Sequence, residues 1–316
     1  MTAFIQRRLL LAIPTVFAVS AAVFLMLHLI PGDPASIYLG DNLATPERLE
    51  AIRHEMGLDR PIYIQYLDFV GRALQGDLGR SLQNGRPVAL ELSERLPRTA
   101  ELAAAAFIVS VVFGVSLGIL SALRHNTWVD TFGMLVALAG VSMPIFWTGL
   151  MGLTLFSYKW HIFPAGGSYT PFFTNPLEWA YDLSLPWITL SLLFSAQYAR
   201  LTRAGMLETM NEDYVRTARA KGLPERKVVV KHGLRGALTP IVTIFGLDFG
   251  LLIGGAVLTE KVFSLNGLGK YAIDGIVSND LPKVLGVTLL AAWFVIICNL
   301  IVDLAYAVVD PRVRTK

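Results

Sequence analysis

The chain has 316 residues, 54% of them hydrophobic and 16% charged, with a mean hydropathy of +0.54. A soluble domain carries nearer about 25% charged residues because it must wet its whole surface, so much of this surface has to face lipid. The net charge of +3 is small and no block of like charges occurs, which reads the basic residues as topology signals and excludes a nucleic-acid surface.

A helix needs about 20 mostly apolar residues to cross roughly 30 Å of hydrocarbon. Residues 9–30 meet this without a charge, behind Arg7 and Arg8. The stretch is too long for the apolar core of a cleaved signal peptide, so it is expected to remain as an anchor helix. In the segment 31–98, Thr45-Pro46-Glu47 reads as an N-cap, a first-turn proline and an acidic first turn. Leu49, Ile52 and Met56 then form an apolar face and Gly57 stops the helix; a second helix is expected from Pro61 to Leu74, before Gly76.

Five more spans follow, over 101–123, 131–158, 185–204, 238–258 and 284–309. Pro144 should kink the third. Gly114 and Gly118, then Gly246, Gly250 and Gly254, recur at the four-residue spacing that lets helices approach closely in lipid. After span five, Leu268, Tyr271, Ala272 and Ile276 share one face of a short helix. The helices outside the spans read equally as lids or docking surfaces and as interfacial helices. The lone Cys298 lies in the last span, where it packs and has no internal disulfide partner.

Orientation follows from the basic residues of the short connections. With the N-terminus inside, the inner segments collect Arg7, Arg8, Arg124, a cluster between Arg200 and Arg235, and Arg312, Arg314 and Lys316. The two later outer loops hold only Lys159, Lys261, Lys270 and Lys283. The first outer segment has eight arginines, but also ten acids and a length beyond the reach of the rule. Both termini are expected in the cytoplasm.

Catalytic readings fail on spacing. Ser264 to Tyr271, SLNGLGKY, is the nearest string to a P-loop, but Ser264 replaces its first glycine and Tyr271 the hydroxyl residue that binds magnesium. Gly114 to Gly118, GVSLG, has the nucleophile-elbow pattern, yet Ser116 sits inside an apolar helix and the five histidines (His28, His54, His125, His161, His232) fall in loops or near span ends. Asp248 is the sharpest single residue, an acid near the middle of span five. It is expected to line a translocation path or a subunit interface, or else to be protonated or hydroxyl-bonded inside the bundle. Asp303 is expected to pair with Arg312 or Arg314, and Arg200 and Arg203 to snorkel to the inner surface.

The connection between spans four and five carries Arg216, Arg219, Lys221, Arg226, Lys227, Lys231 and Arg235. EDYVRTARAKG reads as a short helix with Tyr214, Ala218 and Lys221 on one side, ended by Gly222 and Leu223-Pro224. Small alanines flanked by bases make a knob suited to a groove on another protein; the alternative is a helix lying on anionic headgroups.

RTARAKG followed by KHGLRGAL resembles the cytoplasmic loop of binding-protein-dependent ABC importer permeases, whose general form is E-A-A, three residues, glycine, nine residues, I-x-L-P. Gly222 takes the place of the glycine, Ala218 of the second alanine and Leu234 of the later leucine, while Arg216 and Arg235 stand where the glutamate and proline would be. These departures resemble the peptide and nickel branch, with His232, Leu234, Arg235, Ala237 and Pro240 in its H-x-L-R-x-A-x-x-P string. RRLLLAIPT and LIPGDPA near the N-terminus, GDLGRS (76–81), VSMPIFW (141–147), EKVFSLNGLG (260–269) and DPR (310–312) fit as well, so the resemblance covers essentially the whole chain.

The resemblance implies an all-α integral membrane protein of the inner membrane with six transmembrane helices and the type I ABC importer permease fold. Its parts would be an anchor helix (1–30), a helical extracytoplasmic segment (31–98) and a five-helix core (99–310) with a coupling loop at 209–235. It also implies a second, homologous permease, two ABC ATPase subunits and an extracytoplasmic substrate-binding protein as partners, and no nucleic acid. ATP and magnesium would be bound by the partner ATPases and no cofactor by this chain. Tyr214, Arg216, Thr217, Ala218, Arg219, Ala220, Lys221 and Gly222 would form the coupling helix. The substrate would be a dipeptide, an oligopeptide or a related solute such as a nickel chelate or glutathione. The rival reading is a secondary transporter driven by an ion gradient. It requires paired midplane ionisable residues and an inverted repeat, where this sequence has one midplane acid and no evident repeat.

Overall fold

The computed structural model describes residues 2–29, 35–36, 45–55 and 57–309. The helices, in chain order, are α1 (Thr2–Leu29), α2 (Pro46–Glu55), α3 (Ile62–Leu74), α4 (Val88–Leu123), α5 (Trp128–Ser142) and α6 (Ile145–Gly152), followed by a π-helical stretch (Leu153–Lys159). Then come α7 (Pro176–Thr209), α8 (Asp213–Ala220), α9 (Glu225–Lys227), a second π-helical stretch (Val228–Gly233), α10 (Leu234–Ala237), α11 (Thr239–Val262), α12 (Leu268–Val277) and α13 (Leu281–Val309). An isolated bridge joins Arg80 and Pro87. Helix throughout is what lipid demands, since each backbone N–H and C=O must find its partner within its own segment.

Each of the six apolar stretches lies on helix: α1, α4, α5 with α6, α7, α11 and α13. Among the described residues, α4 and the 281–300 part of α13 are long and apolar enough to cross a membrane singly, and α5 with α6 and its π-helical continuation qualifies as a bent pair. The bend is 106° and falls at Pro144. Met143 is extended there and the ring of Pro144 starts α6, so the expected kink is a full break. The middle of α7 is diluted by Thr189, Ser191, Ser195 and Thr202, all buried in the protein.

The chain divides into two compact units, Met1–Pro97 with Lys270–Leu300, and Arg98–Gly269 with Ile301–Lys316. In the first, both helices expected in 31–98 are present. α2 ends at Gly57 (φ +68°); Met56 of its expected apolar face lies outside the described residues. α3 packs on α1 through Tyr66, whose hydroxyl lies 2.8 Å from Ser20 Oγ and whose ring sits 5.5 Å from that of Phe24.

A buried polar cluster ties the 81–95 region to the 271–283 region. Ser81 donates to Asp280 Oδ2 at 2.6 Å, and Lys283 Nζ pairs with the same oxygen at 3.0 Å while donating to Gln83. Beside them the Tyr271 hydroxyl donates to Glu91 at 2.5 Å, and the Arg95 guanidinium stacks over the Tyr271 ring. This cluster gives GDLGRS a structural reason that periodicity did not supply: Ser81 is a ligand of a distant carboxylate.

The second unit is organised by α4 and α7. A Cβ on Gly114 would lie 2.5 Å from Ser195 O, and one on Gly118 would lie 2.5 Å from Thr202 Cβ. The two backbones therefore approach more closely than any side chain allows, as the spacing predicts. Ser116 is exposed on another face of α4, far from an elbow geometry. Gly254 behaves otherwise, with open space where its Cβ would be. The surroundings of Gly246 and Gly250 lie outside the described residues. The core joins Leu102 and Ala106 of α4, Leu190 and Phe194 of α7 and Ile241 and Leu252 of α11. Large apolar side chains point away from it, including Ile108, Val112 and Phe113 of α4 and Phe132 and Leu135 of α5, a surface suited to lipid.

Arg203 is held by an ion pair. Its guanidinium makes a bidentate pair with Asp130 at 2.6 and 2.7 Å, clamping the start of α5 to α7. The proposed partners of Asp303 lie outside the described residues, as do residues 30–34 and 310–312 of the family motifs.

Gly114→Ala should cost about 1–3 kcal/mol through overpacking, whereas Gly254→Ala should be neutral, as thermal unfolding in detergent will show. Burial pushes the Asp280 carboxyl up, but donors from Ser81, the Leu82 backbone and Lys283 outweigh it and hold its pKa below the usual carboxylate value. A depressed folded pKa stabilises the fold above the unfolded value of about 3.9 and loses that contribution as pH falls through the folded pKa. Asp280→Asn leaves Lys283 uncompensated and should cost about 3 kcal/mol at neutral pH. In melting curves taken at successively lower pH, its deficit against the unaltered chain should shrink.

Candidate functional site

The basic loop folds as a capped, anchored unit. α8 ends in a Schellman arrangement: Gly222 N–H donates to Arg219 O at 2.9 Å and Leu223 N–H to Ala218 O at 3.4 Å. Gly222 has φ +75° with nothing within 4 Å of a Cβ position, so it is backbone conformation rather than space that requires glycine. Val215 and Ala218 face inward and are buried with Val228 under Leu223 and Met210. Arg219 makes two bonds to Glu225, at 2.8 and 3.2 Å, and this pairing holds the Glu225 carboxyl below its usual pKa.

The following run is bolted to the end of α7. Val229 and Ala237 are buried against Met206. A Cβ on Gly205 would lie 3.1 Å from Ala237 Cα, and one on Gly233 would lie 2.7 Å from Met210 Sδ. The π-helical turn widens the helix at Val228–Gly233, where these contacts begin.

The expected face of Tyr214, Ala218 and Lys221 is therefore divided. Tyr214, Arg216, Thr217, Ala220, Lys221 and Gly222 are exposed, Ala218 is turned into the loop and Arg219 is engaged with Glu225. The inward side was legible in the spacing of Val215, Ala218 and Leu223, which is that of a helix end closed by an apolar contact.

Asp248 of α11 is 3% exposed. It interacts with the Tyr198 hydroxyl of α7, yet neither Asp248 Oδ2 nor Tyr198 Oη makes a well-formed hydrogen bond. Phe107 and Phe245 pack edge-on to Tyr198 at 6.5 and 5.5 Å. The acid is thus inside this unit, between the two long helices that flank the basic loop.

The string that resembles a P-loop has another occupation. Glu260 takes the Gly269 N–H at 2.7 Å and the Thr99 hydroxyl at 2.6 Å, and Thr99 Oγ1 takes the Leu268 N–H. A Cβ on Gly267 would lie 2.2 Å from Glu260 Oε1. Amides that would face a phosphate are held by the protein's own carboxylate.

A helical protein clad in apolar side chains, with a rigid basic loop that shows a polar helix face, is the build of a transporter's membrane subunit. Its fold is similar to that of a chain in the crystal structure of an amino acid ABC transporter with histidines, with a TM-score of 0.50 over 68% of this chain and 92% of that one at 15% identity. Residues 114–315 match the family of the binding-protein-dependent transport system inner membrane component, residues 1–103 match the N-terminal region of such components, and the chain belongs to this family. A putative peptide transport system permease protein of Brucella abortus (strain 2308) is 42% identical over 314 residues, 99% of each chain. The dipeptide transport system permease protein DppB of Escherichia coli (strain K12) is 40% identical over an alignment of 338 residues that covers both chains in full. The protein is a multi-pass inner-membrane permease subunit of an ABC importer, a transport component and not an enzyme, with the type I permease fold.

Gly222→Val should strain the αL cap by about 1–2 kcal/mol and loosen the end of α8. Limited trypsin digestion of the purified chain should then cut at Arg219 and Lys221 several-fold faster.

Proposed function

We propose that this permease forms half of a translocation path for peptides, pairing with a second, similar permease, and that α8 is its coupling helix. The observation that carries this reading is an exposed helix face, Arg216, Thr217, Ala220 and Lys221, on a loop whose inner face is fixed to α7. A partner that pushes on this face moves a packed element and not a free loop. In this reading the chain crosses the membrane six times with both termini in the cytoplasm, which puts the basic loop on the side of the ATPases. Two ATPase subunits hold ATP and magnesium, and an external binding protein delivers the substrate. Closure of the ATPases shifts a two-state equilibrium between inward-facing and outward-facing arrangements. The names of the relatives favour peptides, dipeptides among them, with an oligopeptide, a nickel chelate or glutathione as the related possibilities within the branch.

Asp248 fits a place in that switch. It lies between α7 and α11, and a carboxylate with an unfilled acceptor there changes its partners when the two helices shift. A role in lining the path or the permease interface would require the other state to uncover it. The ion-gradient alternative predicts uptake by the chain alone.

In proteoliposomes holding the complete importer, Ala220→Trp should lower ATP-driven uptake of a labelled dipeptide more than tenfold while ATP hydrolysis continues. A photo-crosslinker at Thr217 should capture an ATPase subunit. Full uptake by the Trp variant, with cross-links to lipid alone, would remove the coupling role. Asp248→Leu should slow uptake at least several-fold without loss of assembly; normal transport would retire the switch assignment.

A further inference from the structure

A cavity of about 390 Å³ opens beside α8, lined by Tyr214, Lys231, His232, Arg235 and Gly236. Its chemistry is one-sided. Lys231 and Arg235 stand four residues apart, on one side of the helical run, and both are exposed. Among the described residues no carboxylate pairs with either and none lines the cavity; Asp213 pairs with Arg216 and Glu225 with Arg219. The Tyr214 hydroxyl adds a polar group at the wall, 3.4 Å from His232 O. Space of this size, with convergent donors and no opposing acceptor, fits an anion.

Two further observations select the kind of anion. Arg235 lies four residues before Thr239, where α11 begins its apolar course, so the cavity adjoins the start of an apolar helix. Val230, next to Lys231, is 57% exposed, which offers an aliphatic contact beside the cations. A cation pair with an apolar neighbour at the end of a membrane helix suits a phospholipid, whose phosphate meets the charges while its chain follows the helix. Of the coupling-helix residues, Tyr214 borders this space, while the exposed face of Arg216, Thr217, Ala220 and Lys221 does not line it.

We infer that this cavity binds the headgroup of an anionic phospholipid, with Lys231 and Arg235 on the phosphate. The inference rests on the membrane placement of the loop and on two cations outside α8, so it does not require that α8 meet an ATPase. A lipid seated there would brace the basic loop against the membrane surface from which α11 emerges.

The test uses the full-length chain in nanodiscs of phosphatidylcholine containing a small fraction of phosphatidylglycerol, with retained lipid counted by native mass spectrometry. Lys231→Gln with Arg235→Gln should reduce retention of phosphatidylglycerol by roughly fivefold for each lost charge. Arg200→Gln with Lys227→Gln removes the same charge outside the cavity and should leave retention unchanged. Lys231→Arg with Arg235→Lys should restore it, which separates lost binding from misfolding. An equal fall in both neutralised pairs would reduce the effect to diffuse surface charge and overturn the site. Millimolar inorganic phosphate that empties the cavity of lipid in the unaltered chain would identify a free-anion site and overturn the lipid assignment. Unchanged lipid retention in the neutralised cavity variant, accompanied by lost association with the ATPases, would make the pocket a protein-docking feature and end the proposal.

Discussion

The larger unit depends on how closely α4 and α7 approach. At Gly114 and Gly118 the contact is backbone to backbone, with Ser195 O and Ala199 O inside the distance at which a methyl group could stand. Lipid gives helices no hydrophobic reason to associate, so such contacts and a few interhelical polar pairs must hold the protein together. The Asp130–Arg203 pair is one of these, placed in the first turn of α5 with Asp130 buried and Arg203 partly exposed. With α4 and α7 locked, the remaining elements have a fixed support: α11 packs on α7 through Ile241 and Leu252, and the basic loop is mounted on the last turns of α7.

Buried acids act as fasteners in both units. Glu260 is surrounded by donors from Thr99 and Gly269, and Asp280 by donors from Ser81 and Lys283. Both are acids used as fasteners for loops that have little apolar surface of their own. Asp248, in the same unit as Glu260, has an oxygen left without a hydrogen bond, as does the second oxygen of Asp280. An unfilled acceptor of this kind costs free energy in the arrangement seen.

Local rules carried much of this structure, because they concern residues that are neighbours in the chain. Gly57 and Gly222 stop their helices because the backbone needs positive φ there, and Pro144 breaks its span because it lacks an N–H. The helical class and the apolar stretches follow from composition and length for the same reason. The resemblance in the 216–240 stretch marked the loop, but the inward turn of Ala218 depends on Val228 and Leu223 folding back over it, a contact that exists only once the loop has closed. Likewise the pairing of Arg203 could not be read from the sequence because its carboxylate partner is 73 residues away in the chain. The polar cluster around Asp280 was invisible for the same reason: Ser81 and Asp280 are 199 residues apart, and neither residue type in isolation signals a partner.

The π-helical turn at Val228–Gly233 has a mechanical consequence. By bulging the backbone it brings Gly233 against Met210 and Ala237 against Gly205, so the loop is joined to α7 along its flank and not only through the peptide chain. The loop is thereby mounted on the flank of α7, the same helix on which α11 packs through Ile241 and Leu252.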